Sequence, residues 1–328
     1  MNSFSFQRAT TFDDAIRLGQ QPGARFIGGG TNLVDLMKGG IEQPMHLIDV
    51  SSLPMSGIAE TKDGGIRIGA AARNSDVADH ALVRARYPLL CQALLAGASP
   101  QLRNMATVGG NLMQRTRCYY FTDASFEMCN KRNPGSGCAA LHGINRIHAI
   151  LGTSEQCIAV NPSDMNVALA ALEAEVHVRG PRGARTIPFG TFHRLPGNTP
   201  QNDTTLAPGE LIVAVTLPPS PFATHAHYLK VRDRASYAFA LVSVAAALDM
   251  QNGVVKRARI ALGGVAHKPW RADAAEAALV GRSLDAQAIR DASRAAVVNA
   301  RPYEHNGFKV ELTARAVGRA LSIAGEQA

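Results

Sequence analysis

Four of the five cysteines, Cys118, Cys129, Cys138 and Cys157, fall inside one stretch, residues 115–160, with the spacing C-x10-C-x8-C-x18-C. That spacing lacks the tight knuckles that present two sulfurs to a zinc ion, and it lacks the compact run of bacterial ferredoxins. Four soft ligands in one segment still point to metal, with a [4Fe–4S] cluster favoured by the missing knuckles; disulfides, zinc or unligated thiols stay open on spacing alone. Cys91 stands apart in the apolar helical run Leu89 to Leu95 and reads as a small buried hydrophobe. His142 and His148 flank the cysteines and read as surface or supporting groups rather than ligands.

Two glycine-bearing segments carry a second chemistry. Gly28-Gly29-Gly30-Thr31-Asn32-Leu33 follows an apolar run, and Thr107-Val108-Gly109-Gly110-Asn111-Leu112 repeats its small residues, glycines and amide. Glycine lets main-chain N–H groups approach an anion without interference from a Cβ, so two such loops could hold opposite ends of one pyrophosphate. Neither standard nucleotide motif is met: Leu33 stands where a Rossmann fingerprint needs its last glycine, and no Gly-Lys-Ser/Thr follows. Lys230, Arg232 and Arg234 alternate and read as a basic strand face. No Ser/His/Asp order, helical carboxylate pair or His-Glu-x-x-His supports hydrolysis.

These groups must be positioned by a chain of 328 residues, enough for two or three domains. With 46% hydrophobic and 18% charged residues it is globular, and disorder, collagen and coiled coil are excluded. Its +8 charge suits an anionic cofactor or acidic partners better than nucleic acid, given so low a total charge. Ala238 to Leu248, the longest smooth apolar stretch, falls short of the roughly 18 residues that span a bilayer. The N-terminus shows no secretory pattern, so export would ride on a partner.

The pattern predicts a helix capped by Thr11, strands at Ala24–Ile27 and His46–Val50 around a helical piece at Leu33–Lys38, a strand at Ile66–Ala70 and a helix over Pro88–Gly97. Periodicity disappears from Arg115 to Ala159. It resumes with a helix capped by Ser163 and strands at Glu175–Arg179 and Leu211–Leu217. Pro218-Pro219-Ser220-Pro221 marks a boundary between residues 1–221 and 222–328. Beyond it, runs at Tyr237–Asp249 and Val254–Leu262 joined through Asn252-Gly253 predict a hairpin, followed by three Ala-rich helices. The fold class is α+β.

Phe26 to Leu33, Thr107 to Leu112 and Pro208-Gly209-Glu210-Leu211-Ile212 together resemble the FAD-binding medium subunits of the molybdenum hydroxylases over essentially the whole chain. Gln114 to Cys118 and Cys129 to Cys138 are similar to the members that carry a [4Fe–4S] insertion, as are Val231 to Ala240 and Gly263 to Trp270. Those members serve aldehyde oxidation or, alternatively, 4-hydroxybenzoyl-CoA reduction; a zinc-stabilised basic binding module is the reading outside the family. The resemblance implies a two-lobed FAD domain of the PCMH type at 1–221, with the iron–sulfur insertion at 115–160, and a sheet-and-helix domain at 222–328. It implies FAD held by Arg25, Phe26, Ile27, Gly28, Gly29, Gly30, Thr31, Asn32, Gly97, Ala98, Thr107, Gly110, Asn111, Asp164, Ile212 and Lys230, and a cluster ligated by the four cysteines. Its implied partners are a large molybdenum-cofactor subunit and a small [2Fe–2S] subunit, in a heterotrimer placed in the periplasm by co-export or in the cytoplasm.

Overall fold

A computed structural model describes residues 1–326. Three sheets organise the chain. The first is parallel, in the order β1-β3-β2, from β1 (Ser5–Arg8), β2 (Ala24–Ile27) and β3 (His46–Asp49). Helices Phe12–Gly19 and Leu33–Lys38 make the crossovers that parallel strands require. The Thr11 hydroxyl accepts from the Asp14 N–H at 3.1 Å and fixes the start of the first.

The second sheet uses β4 (Ile58–Glu60), β5 (Ile66–Gly69), β6 (Glu175–Gly180), β7 (Gly183–Pro188) and β8 (Leu211–Leu217), antiparallel in the order β4-β5-β8-β6-β7. Residues 70–174, between β5 and β6, hold both the helices over the site and the cysteine segment. Together the two sheets form the two lobes of the first domain.

The third sheet, β12-β11-β10-β9, is built from β9 (His225–Val231), β10 (Val242–Gln251), β11 (Val254–Gly263) and β12 (Trp270–Arg271), all antiparallel. Asn252 and Gly253 have φ of 52° and 75°, the left-handed pair that a two-residue hairpin needs. Val242, Val244, Ala246 and Leu248 of β10 pack toward helices Asp273–Leu279, Ala286–Ala295 and Phe308–Glu326. Ala245 and Ala247 point the other way, into the core of the first domain. Both faces of β10 are therefore buried, which explains a run that is apolar without alternation. The expected strand from Tyr237 begins only at Val242, because 232–241 forms a loop in which the Arg234 guanidinium holds the carbonyls of Ser236 and Tyr237.

Residues 115–160 contain only a helical turn at Tyr119–Thr122, a 3-10 turn at Ala139–Leu141 and isolated bridges such as Cys129 with Cys138. A small apolar cluster of Leu36, Phe121, Ala140, Ile158 and Ala159 surrounds the cysteines. Buried polar groups anchor the rest. Lys309 Nζ, fully buried, donates to the carbonyls of His148 at 2.8 Å, Ile147 at 3.3 Å and Gly264. Asn306 Nδ2 reaches the carbonyls of His148 and Ala149, and Asn145 Oδ1 accepts from the His305 N–H. Among the described residues no helix is long and apolar enough to cross a membrane.

Candidate cofactor cleft and cysteine pocket

A cleft of about 350 Å³ opens where the two lobes meet the C-terminal domain. Its lining includes Thr31 and Asn32 from the first glycine segment, Gly97 and Ala98 from the end of helix Pro88–Ala96, and Gly110 and Asn111 from the second segment. Asp164 and Lys230 complete it, so eight of the expected cofactor residues share one cavity. Ala98, φ 53°, and Tyr237, φ 50°, are non-glycine residues held left-handed in this wall, a conformation that costs about 1–3 kcal/mol and concentrates at binding sites.

The glycines act chiefly on each other's loops. A Cβ on Gly29 would stand 1.8 Å from the Met105 carbonyl oxygen, and one on Gly28 2.9 Å from Thr107 Oγ1. Thr107 is buried beneath the cleft and caps the helical turn Val108–Leu112, accepting from the Gly110 N–H at 3.2 Å. The second segment is thus a helix start rather than a second open loop. The N–H groups of Gly29, Gly30, Thr31 and Asn32 have no acceptor within the described chain. Of these residues, Thr31 and Asn32 line the cleft, and Gly29 and Gly30 lead into it along the chain.

Lys230 is not on a solvated face. Its side chain is 5% exposed, with Nζ 2.7 Å from Asp164 Oδ2 and 3.1 Å from the Ala96 carbonyl. Tyr228 donates its phenol proton to Asp164 Oδ1 at 2.7 Å; burial, then the neighbouring carboxylate, holds the phenol well above its ordinary pKa, so the proton stays. Arg232 reaches the Ala96 carbonyl, and Arg234 lies in the loop beyond β9. Arg25 is exposed at the edge of the first lobe, 3.7 Å from Glu42. Phe26 fills the space over Gly19, Ile27 packs on Gly30, and Ile212 lies buried in β8 opposite Val178, outside the cleft lining.

Sequence reasoning missed one wall. Arg103 and Arg117 line the cleft with Tyr237 and Phe239, and the Arg117 guanidinium sits 5.4 Å over the Phe239 ring and 3.2 Å from Asn32 Oδ1. No periodicity marks these residues. With Lys230 and Arg234 the lining carries four cations against Asp35 and Asp164, a field suited to an anionic ligand.

The four cysteines line a second, small cavity of about 10 Å³, room for one water, together with Tyr120, Phe121, Met128, Lys131 and Gln156. All are free thiols; Cys118, Cys129 and Cys157 are buried and Cys138 is half-buried. The Ala159 N–H donates to Cys157 Sγ at 3.4 Å, while the Phe121 and Leu141 N–H groups close turns onto the carbonyls of Cys118 and Cys138. Burial pushes the Cys118 thiol up to about 12 and Cys157 to about 11. Among the described residues no three His, Cys, Asp or Glu side chains converge closely enough for a single metal ion. His148 Nε2 lies 3.0 Å from Cys118 Sγ, and His142 is outside the cavity. Cys91 is buried in its helix, as its surroundings in the sequence predict.

One further network ties this pocket to both domains. Lys131 Nζ, 1% exposed, donates to Asp203 Oδ1 at 2.5 Å, the Pro200 carbonyl at 2.7 Å and His267 Nε2 at 2.8 Å. His267 holds its own proton on Nδ1, toward the Arg194 carbonyl at 2.8 Å.

Two family models divide the chain: the FAD binding domain in molybdopterin dehydrogenase over residues 2–220, and the CO dehydrogenase flavoprotein C-terminal domain over 227–324. The chain therefore belongs to the FAD-binding subunits of the molybdenum hydroxylases, and it is an oxidoreductase subunit that binds FAD. Over its full length it is 53% identical to the aldehyde oxidoreductase FAD-binding subunit PaoB of Escherichia coli (strain K12), covering 100% of both chains. It is 27% identical to the carbon monoxide dehydrogenase medium chain of Hydrogenophaga pseudoflava, over 98% of this chain and 96% of that one. A solved carbon monoxide dehydrogenase from the same organism superposes with a TM-score of 0.77 at 28% identity, covering 98% and 97%. Quinoline 2-oxidoreductase from Pseudomonas putida 86 shares the fold, TM-score 0.76 at 24% identity, over 99% and 98%.

Proposed function

We propose that this chain is the FAD- and [4Fe–4S]-carrying electron-transfer subunit of a molybdenum-dependent aldehyde oxidoreductase, assembled with a large molybdenum-cofactor subunit and a small [2Fe–2S] subunit. The observation that carries the reading is the cleft, in which free peptide donors, a cationic rim and the Asp164–Lys230 pair converge from three parts of a chain with full-length similarity to an aldehyde oxidoreductase subunit. Bound FAD supplies the chemistry: it takes electrons singly from iron–sulfur clusters and releases them singly or in pairs.

The chain's own residues bind and orient. The N–H row from Gly29 to Asn32 and the Asn111 amide suit a diphosphate, since each charge-assisted hydrogen bond contributes about 1.5–3 kcal/mol. Asp164, pinned by Tyr228 and Lys230, offers a carboxylate edge to hydroxyl or amino donors. Support for the cluster is the donor set: four free thiols lining one largely apolar pocket, with the Ala159 N–H directed at Cys157 Sγ. The present space admits one water, so the pocket must widen to seat four irons.

The test is flavin and metal analysis of the chain purified with its co-expressed partners, with aldehyde-dependent reduction of an artificial acceptor. Stoichiometric flavin with about four irons per chain is expected for such a cluster. Zinc without iron would refute the cluster, and absence of aldehyde turnover would refute the substrate class.

A further inference from the structure

Ser163 is buried and caps helix Asp164–Ala171: its Oγ accepts from the Asn166 N–H at 3.1 Å. The same hydroxyl donates its proton to Asn111 Oδ1 at 2.7 Å. Its own N–H is held by Asn161 Oδ1 at 3.1 Å, so the serine is fixed from two sides. Asn111 lines the cleft, and with Oδ1 engaged by Ser163 the end of the amide left to the cleft is Nδ2, a pair of donors with no partner among the described residues.

A carboxamide is electrically two-faced: turned one way it offers N–H donors, turned by 180° a carbonyl acceptor. Toward an anion the first binds and the second repels. We propose that Ser163 is a positioning residue that sets the polarity of the Asn111 amide, keeping its NH2 turned to the anionic part of the cofactor. Without that hydroxyl the amide is free to turn over. The neighbour of Ser163 in sequence, Asp164, holds Tyr228 and Lys230 from the C-terminal domain, so this one turn registers donors from both domains about the same ligand.

The proposal rests on Asn111 facing FAD, and the test separates the two claims. Ser163→Gly removes the hydroxyl but keeps a residue tolerated at a helix N-cap, where glycine costs only a few tenths of a kcal/mol; Ser163→Thr keeps the hydroxyl. FAD is titrated into the deflavinated full-length chain by quenching of flavin fluorescence, with apoprotein melting temperature as a control. The dissociation constant is expected to rise about tenfold in Ser163→Gly, the loss of one good hydrogen bond, and to stay within twofold of wild type in Ser163→Thr. In an Asn111→Ala background, Ser163→Gly should add nothing, because there is no amide left to orient. An Asn111→Ala protein with wild-type FAD affinity would overturn the assignment of Asn111 and this proposal with it. A weakened Asn111→Ala combined with an unaffected Ser163→Gly, or with a Ser163→Gly penalty that persists in the double variant, would overturn the positioning role alone.

Discussion

Gly29→Ala tests how the two glycine segments build the cleft. The added Cβ would stand 1.8 Å from the Met105 carbonyl oxygen and 2.6 Å from its carbon. Both are backbone atoms, so no side chain can swing aside. Ordinary contact begins near 3.4 Å, so the segments must part by about 1.6 Å. A donor poised at about 2.9 Å from a phosphate oxygen then stands well beyond bonding range. Losing one or two such bonds removes about 3 kcal/mol, on the order of a hundredfold in FAD affinity. Gly57→Ala is the control, since its Cβ would meet nothing within 4 Å and its φ is not left-handed. Fluorescence titration of both deflavinated variants measures the effect. Gly29→Ala binding FAD within threefold of wild type would refute the argument that close approach of these segments shapes the site.

Cys129→Ser should lower iron content and yield, whereas Cys91→Ser, buried in its own helix, should leave iron unchanged; equal loss in both would sink the cluster assignment. Lys131→Met leaves Asp203 with Arg115 and with His267 3.6 Å away, and is expected to cost about 3 kcal/mol in urea unfolding, at the low end for breaking a buried pair because Arg115 remains. Asp203 is held well below the ordinary carboxylate range by Lys131 and Arg115 against the opposing effect of burial. A depressed carboxylate contributes stability that is full above about pH 4 and is lost as the pH falls through its folded value. Asp203→Asn should therefore flatten the acid limb of the stability profile below about pH 4, and an unchanged limb would contradict the network.

Much of the fold is legible in the sequence because local rules suffice. Thr11 and Ser163 cap their helices, Asn252-Gly253 turns its hairpin, and β2 and β8 begin and end where their apolar runs do. The alternation rule misplaces the basic residues after Tyr228, because whether Lys230 faces water depends on Asp164, a carboxylate 66 residues earlier in the chain. The glycines are legible as close-approach positions but not as to what approaches: the tightest contact is the Met105 backbone. Arg103, Arg117 and Phe239 carry no local signature, and only tertiary placement makes them a wall. Ile212 satisfies the strand pattern and serves the core.

The cysteine segment takes several of its anchors from far along the chain: Lys131 from His267, Asn145 from His305, the Ile147 and His148 carbonyls from Lys309, and the Ala149 carbonyl from Asn306. Contacts of such long sequence separation close last, after the entropy of every intervening loop has been spent. The anchoring of this segment is therefore complete only once Phe308–Glu326, which carries Lys309, has docked: a chain ending before that helix would leave the His148 carbonyl, 161 residues earlier, without its buried lysine.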